Sequence, residues 1–143
     1  MIKLIISFAL FTSYLFSSVS SSALYIDKNE NYIYSANLDA GSVSQIDLKT
    51  GKLLDEIKLG TEIRRIAFNI DETIFLATDY FENKIYVLKN NKLLKTINTP
   101  KKPHAIIYDK NKNVFYVTSY EDNKVFVIDE KNLEIIQELK VEQ

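Results

Sequence analysis

The chain has 143 residues, and its 18 basic and 19 acidic side chains give a formal net charge of −1. Because charges of both signs are interspersed, there is no electrostatic reason for it to bind nucleic acid or anionic lipid. Cysteine is absent, which excludes disulfides and a lipoprotein anchor, so the folded part must be held together by packing alone.

The N-terminus predicts an export signal. Lys3 is followed by an apolar run, Leu4 to Phe16, and then by a serine-rich segment that ends at Ala23. The run has thirteen residues, whereas roughly 20 are needed to span a bilayer. The small residues near Ala23 favour cleavage before Leu24. We therefore predict a signal peptide over 1–23 and a periplasmic, extracellular or cell-surface protein, with an uncleaved membrane anchor as the alternative.

The rest of the chain contains three copies of one pattern. The segment Phe68 to Leu88 is matched, type for type and without a gap, by Tyr108 to Ile128, forty residues later. A copy beginning at Tyr32 aligns with the middle one at a shift of forty-two, and the two extra residues lie in one turn. Repeats of about 40 residues with four short strands each are typical of β-propeller blades.

Four strands are predicted in each copy. In the middle copy they run approximately over 64–69, 74–79, 84–89 and 92–98, separated by turns rich in Asn and Asp. The second and third strands are almost continuously apolar, which predicts burial on both faces, whereas the fourth is diluted with charge and belongs on the outer rim. The predicted fold is all-β: three four-stranded antiparallel blades in an open arc or part of a larger propeller, at approximately 24–63, 64–103 and 104–143.

These copies resemble the YVTN repeat of bacterial and archaeal β-propellers, named for a Tyr-Val-Thr-Asn stretch on the second strand. Tyr116-Val117-Thr118-Ser119 matches three of the four residues, and the Asn itself occurs in the first copy as Asn37. Pro103-His104-Ala105 and Thr50-Gly51-Lys52 resemble the start of the family's blade and its outer hairpin turn. The resemblance implies an exported protein without an assigned reaction. Some members resemble surface antigens, and related propellers include the haem-binding domain of nitrite reductases.

The loops that precede the first strand and those that join the second strand to the third are where propellers usually bind ligands. Exposed tyrosine supplies contact area at little ordering cost, although aromatic side chains beside strand ends also serve as packing covers. Arg64 and His104 occupy equivalent positions, forty residues apart. The predicted binding face consists of Arg64, Arg65, Asp79, Tyr80, Phe81, His104 and Tyr120.

His104 is the only histidine, so it could be an axial haem ligand, a general base or simply a polar residue at the rim. A metal site would need two or three more ligands, and the sequence offers neither cysteine nor a second histidine. Asp39, Asp79 and Asp122 follow in successive loops, but no calcium-binding loop surrounds them. There is no Gly-x-Ser-x-Gly elbow. We predict no cofactor, no metal site and no catalytic residue.

Three functions remain in competition. We favour a non-enzymatic propeller that binds an envelope protein or a copy of itself, without nucleic acid and without membrane contact beyond the signal peptide. The alternatives are a haem- or metal-binding redox or enzymatic domain at His104, and a non-autonomous fragment of a longer propeller.

Three copies are too few for a closed propeller, because closed propellers typically need ~4 to 8 blades. Three blades leave an apolar sheet face bare at each end. We expect these faces to include Tyr34 and Ile46 in the first copy and Tyr116 and Ile128 in the third. Such faces favour association, so we expect either missing blades or a homodimer that forms a six-bladed ring.

Overall fold

A computed structural model describes residues 20–141 and contains twelve strands in this part of the chain. Consecutive strands form three antiparallel sheets of four strands each, here called blades 1, 2 and 3. Blade 1 consists of β1 (Ser21–Ile26), β2 (Tyr32–Asn37), β3 (Ser42–Asp47) and β4 (Leu53–Lys58). Blade 2 consists of β5 (Ile63–Phe68), β6 (Ile74–Asp79), β7 (Lys84–Lys89) and β8 (Lys92–Asn98). Blade 3 consists of β9 (Pro103–Asp109), β10 (Val114–Ser119), β11 (Lys124–Asp129) and β12 (Ile135–Lys140).

The all-β fold with three four-stranded antiparallel sheets is therefore confirmed. The described residues include no helix long and apolar enough to cross a membrane. The predicted signal peptide lies almost wholly outside the described residues, and its cleavage stays a prediction.

Short turns with left-handed residues connect the strands. Asn90 and Asn91 join β7 to β8, and their φ angles are 49° and 62°. Two consecutive positive φ angles are typical of a type I′ turn, whose twist matches that of the strands it joins. Asn83 and Asn123, at equivalent positions of blades 2 and 3, also have positive φ angles. Asparagine tolerates this conformation, so the repeated turn chemistry produces the repeated strand lengths.

The core lies between the blades. Blades 1 and 2 enclose an aromatic cluster in which the Phe68 ring centroid is 4.2 Å from that of Tyr25, 4.8 Å from Tyr34 and 4.7 Å from Phe75. Such ring pairs add about 0.5–1.5 kcal/mol each beyond the area they bury. A second cluster separates blades 2 and 3 and is mainly aliphatic, around Phe115. The fourth strands are mostly exposed, as the outer rim requires.

The prediction of which residues lie on the free end faces is correct for Ile46 and Tyr116 and wrong for Tyr34 and Ile128. Tyr34 pairs with Gln45, whereas Ile46 pairs with Ile33. Opposite residues in an antiparallel pair share a face, so Tyr34 and Ile46 lie on opposite faces of blade 1. Tyr34 is buried against blade 2, and Ile46 belongs to the free face.

In blade 3, too, one of the two residues expected on the free face lies on the opposite face. Tyr116 pairs with Val127, but Ile128 pairs with Phe115. Ile128 is fully buried in the cluster between blades 2 and 3. Of the two expected residues, Tyr116 alone lies on the free face of this blade, where it lines a cavity.

The free face of blade 1 mixes polar and apolar side chains. On blade 1, Ser35 donates to Asn37 Oδ1 (3.1 Å), and Asn37 Nδ2 donates to Ser44 Oγ (2.8 Å). Blade 2 has Ala77 and Tyr86 at the positions equivalent to these two serines. The same face of blade 1 also carries Leu24 and Ile26, which pair with Ser35 and Ile33 and are 65% and 51% exposed. The free face of blade 3 remains apolar and includes a cavity of about 260 Å³ lined by Ala105, Ile106, Ile107, Tyr116, Thr118 and Val125.

Candidate binding site

The starts of β5 and β9 and the loop after β6 bring cations and aromatic rings together at one end of blades 2 and 3. The guanidinium carbon of Arg64 lies 3.9 Å from the ring centroid of Tyr80, and Lys102 Nζ lies 4.9 Å from the same centroid. Lys102 Nζ is also 5.6 Å from the Phe81 ring. Distances below about 6 Å are those of cation–π contacts, so both cations are held by the aromatic side chains of this loop.

His104 completes the group. Its ring centroid is 6.1 Å from that of Tyr80 and 6.1 Å from that of Tyr120, and the two tyrosine rings are also 6.1 Å apart. Burial lowers the pKa of His104, and the charges of Arg64 and Arg65 lower it further. The imidazole is therefore neutral at pH 7. We call Arg64, Tyr80, Phe81, Lys102, His104 and Tyr120 the loop-face cluster.

Two members of the loop-face cluster present large aromatic surfaces to solvent. Phe81 is 62% exposed and Tyr120 is 67% exposed. Aromatic side chains of this size usually bury most of their surface in a protein core or interface. The loop-face cluster thus has ordered cations, Arg64 and Lys102, next to the exposed rings of Phe81 and Tyr120.

Arg64 has one ionic partner. Its Nη2 donates to Glu62 Oε1 at 2.5 Å, and the Arg64 side chain is 28% exposed. Arg64 Nε is buried and has no hydrogen-bond partner among the described residues. Arg64 and Glu62 therefore form a partly buried ion pair at the edge of the cluster.

Asp79, which the sequence placed on the binding face, is buried within the fold. Its Oδ1 accepts from the backbone N–H groups of Phe81 (3.0 Å) and Glu82 (2.9 Å), and its Oδ2 accepts from those of Thr61 (2.7 Å) and Glu62 (3.3 Å). These bonds fix the two loops that carry the loop-face cluster. Asp79 is fully buried, so it positions the surface and is not part of it.

Arg65 has a structural contact as well. Its Nη1 donates to the backbone carbonyls of Ser22 (2.6 Å) and Arg64 (2.8 Å). Ser22 Oγ in turn donates to the Ile63 carbonyl (2.9 Å). Arg65 therefore ties β1 to β5, and its charge helps to lower the pKa of His104.

The remaining loop carboxylates are separate from one another. Asp39 accepts from Ser20 Oγ at 2.6 Å, and Asp122 lies 4.0 Å from Lys101 Nζ. Across residues 20–141, no three His, Asp or Glu side chains are close enough to hold a metal ion. The expectation that the protein carries no cofactor stays a prediction.

The sequence reasoning missed Glu62 and Lys102. They occupy equivalent positions forty residues apart, each two residues before Arg64 or His104. The same comparison of copies that singled out Arg64 and His104 would have found them. Lys102 has a φ of 42°, and this left-handed conformation could not be read from the residue type.

Comparison with solved structures identifies the architecture. The chain is similar to a hydrazine synthase of Kuenenia stuttgartiensis (TM-score 0.83, 15% identity, covering 94% of this chain and 40% of that chain). It is also similar to the WD40 repeats of RRP9 (TM-score 0.79, 18% identity, 88% and 40%) and to U3-55K (TM-score 0.78, 18% identity, 88% and 41%). These likenesses show the fold: the three sheets are β-propeller blades.

The chain spans about 40% of the length of these solved structures. No family model matches it, and a search of the curated proteins finds no match. The YVTN repeat therefore remains a resemblance carried by the residues quoted above.

Proposed function

We propose that this chain is a non-enzymatic interaction module and that the loop-face cluster binds another protein of the cell envelope. The observation that carries the proposal is the grouping of Arg64 and two tyrosines around His104, with Phe81 and Tyr120 exposed beside them. Tyrosine and arginine are enriched among the residues that dominate binding energy in protein interfaces.

The geometry favours binding because the cluster is ordered in advance. Arg64 lies over the Tyr80 ring and is paired with Glu62, so little side-chain freedom is lost when a partner arrives. Immobilising a mobile side chain on binding costs about 0.5–1.5 kcal/mol. Because Arg64 is already ordered in the folded protein, most of this cost does not arise when a partner binds. The exposed rings of Phe81 and Tyr120 then supply the area that a partner would cover.

Site-specific photo-crosslinking in cells tests the proposal. A photoreactive phenylalanine derivative replaces Tyr120 in the cluster or, as the control, Leu93 on the rim strand β8, which is 53% exposed. We expect one crosslinked protein of defined mass at position 120 and none at position 93. Equal products at both positions, or none at 120, would contradict the proposed binding face.

The envelope location rests on the predicted signal peptide. In the structure β1 begins at Ser21, and Ala23 packs against the core between blades 1 and 2. Cleavage before Leu24 would remove three residues from this strand. The intact mass of the exported protein tests both points, because a mass that retains the apolar run Leu4 to Phe16 would indicate a membrane anchor.

A second candidate is a segment of a larger propeller, completed by further blades or by a second copy of the chain. It is favoured by the free face of blade 3, where Ile107 is 63% exposed although the equivalent Ala67 of blade 2 is buried. Val125 is half-buried on the same face, whereas the equivalent Ile85 is fully buried. On this proposal the face of blade 3 packs against another blade.

A further inference from the structure

We propose that the loop-face cluster recognises an acidic peptide segment, whose carboxylate pairs with Lys102 and Arg64 and whose neighbouring apolar side chains contact Phe81 and Tyr120. This inference rests on the proposed function and specifies the chemistry of the partner. It follows from the charges at the site, from the donors left unused there and from the exposed rings.

The cations of the loop-face cluster outnumber the carboxylates that neutralise them. Arg64 and Lys102 both lie within 5 Å of the Tyr80 ring centroid, and only Arg64 is paired, with Glu62. Lys102 Nζ makes no ion pair with any carboxylate in the part of the chain that the structure describes. Arg64, Lys102 and Glu62 together carry a net charge of +1.

Two carboxylates at the border of the cluster, Asp79 and Glu82, cannot supply the missing charge, because other groups already hold them. Asp79 accepts four backbone N–H groups. Glu82 accepts from Thr61 Oγ1 (2.8 Å) and Lys84 Nζ (2.8 Å), and these bonds lower its pKa, so it is ionised and engaged. Neither of them pairs with Lys102, so a carboxylate from outside can pair with it.

Arg64 has spare donors for the same ligand. In the described residues only its Nη2 donates a hydrogen bond, to Glu62, while the side chain keeps 28% of its surface exposed. A guanidinium can donate five hydrogen bonds, and charge-assisted bonds to carboxylates are roughly twice as strong as neutral ones. Arg64 Nε is buried, so only the Nη1 and Nη2 donors are left for a ligand, and the contact with Tyr80 fixes them before a ligand arrives.

The exposed rings favour a peptide over a free anion. A small anion would contact the cations and leave Phe81 and Tyr120 in water, whereas a peptide places apolar side chains beside its acidic residue. Burial of apolar area contributes roughly 25 cal/mol per Å², so covering these two rings adds to affinity. The expected ligand is therefore a short segment with Asp or Glu next to apolar residues.

Selection of random short peptides displayed on phage, using the purified exported chain as the target, tests this inference. We expect recovered peptides to be enriched in Asp and Glu flanked by apolar residues. A synthetic peptide from this set should bind roughly tenfold more weakly when its acids are changed to the matching amides. The variants Lys102→Gln and Arg64→Gln should each weaken binding by a similar factor, while the control Lys110→Gln, in the turn between β9 and β10, should not.

The outcomes separate this inference from the proposed function. Peptides that bind and depend on Tyr120 but carry no excess of acids, or that bind Lys102→Gln unchanged, would overturn the acidic ligand and leave the interaction module standing. No peptide recovered above the level of a Tyr120→Ala target would overturn both. A third outcome concerns anionic phosphatidylglycerol vesicles. If they abolish peptide binding and bind the protein more tightly than any peptide does, the ligand of the cluster is a membrane surface and not a peptide. Lys102→Gln keeps the test valid if Arg64→Gln fails to fold, because within residues 20–141 the Lys102 ammonium makes only cation–π contacts.

Discussion

The residue that ends the second strand is buried and polar in every blade: Asn37, Asp79 and Ser119. Each bonds to a neighbouring loop or to the start of the next strand. Asn37 donates to Ser42 Oγ (3.0 Å), Asp79 accepts four backbone N–H groups, and Ser119 Oγ donates to the Lys101 carbonyl. This position is structural, and the side chains available to a ligand begin one residue later, at Tyr80 and Tyr120.

Removing the Asp79 carboxylate should therefore destabilise the protein as a whole. Asp79→Ala leaves four backbone donors without their acceptor, and we expect a loss of about 3 kcal/mol in the free energy of unfolding. The matched control is Asp39→Ala, which removes an exposed carboxylate from the equivalent loop of blade 1 and should cost less than about 0.5 kcal/mol. Urea denaturation of both variants measures the difference, and equal losses would contradict the role given to Asp79.

His104 gives a direct measure of the electrostatics of the loop-face cluster, because it is the only histidine. Burial, followed by the charges of Arg64 and Arg65, lowers its pKa below the usual 6.5. The unfolded chain therefore takes up this proton first as the pH falls. Stability should be fully present above pH 6.5 and should decline as the pH falls through the pKa of the folded state.

Titration of the imidazole by NMR checks this prediction. We expect a midpoint below 6.5 in the native protein and a higher midpoint in Arg64→Gln, since that variant removes one of the nearby positive charges. A native midpoint at or above 6.5 would show that His104 is neither buried nor close to these cations.

At the scale of the strand, the three blades provide matched positions in different surroundings. Val43 in β3 and Val125 in β11 are equivalent, but Val43 is fully buried against blade 2 and Val125 is half-buried on the free face of blade 3. Val43→Ala should cost about 2 kcal/mol of unfolding free energy, and Val125→Ala less than half of that. Equal costs would mean that the face of Val125 is covered as completely as that of Val43.

Strand positions could be predicted well from the sequence because the turns carry the signal. For the middle copy the sequence predicts strands at 74–79, 84–89 and 92–98, which are the bounds of β6, β7 and β8. The predicted first strand, 64–69, lies one residue later than β5, which runs over Ile63–Phe68. Asparagine and aspartate at fixed offsets end the strands, so comparison of the copies locates them.

The faces of the strands could not be predicted in the same way. A strand buried on both sides is apolar at successive positions, so its pattern does not show which residue faces which neighbour. Tyr34 and Ile128 were assigned to free faces for this reason, and the pairing register places both in the core. In the site, the grouping of Arg64 with Tyr80 and His104 could be anticipated from the repeat. The burial of Asp79 could not, because it depends on how the neighbouring loop folds back onto β6.

At the scale of the whole molecule, the blades pack in one direction, each through equivalent faces on its neighbours. The free face of the first blade combines a serine and asparagine network with the exposed side chains of Leu24 and Ile26. The third blade ends in an apolar face with Ile107 63% exposed. An exposed apolar patch of this kind favours association. Both free faces therefore expose apolar surface that a further blade or a second copy would cover.

The central claim is that three equivalent blades stack in series and that the third presents the face against which another blade would pack. Light scattering coupled to size exclusion, with a dye that binds exposed apolar surface, tests this most directly on the exported protein. We predict a mass above that of one chain or strong dye binding, reduced by Ile107→Lys but not by the rim variant Leu93→Lys. A monomer that unfolds cooperatively and binds no dye would contradict the claim.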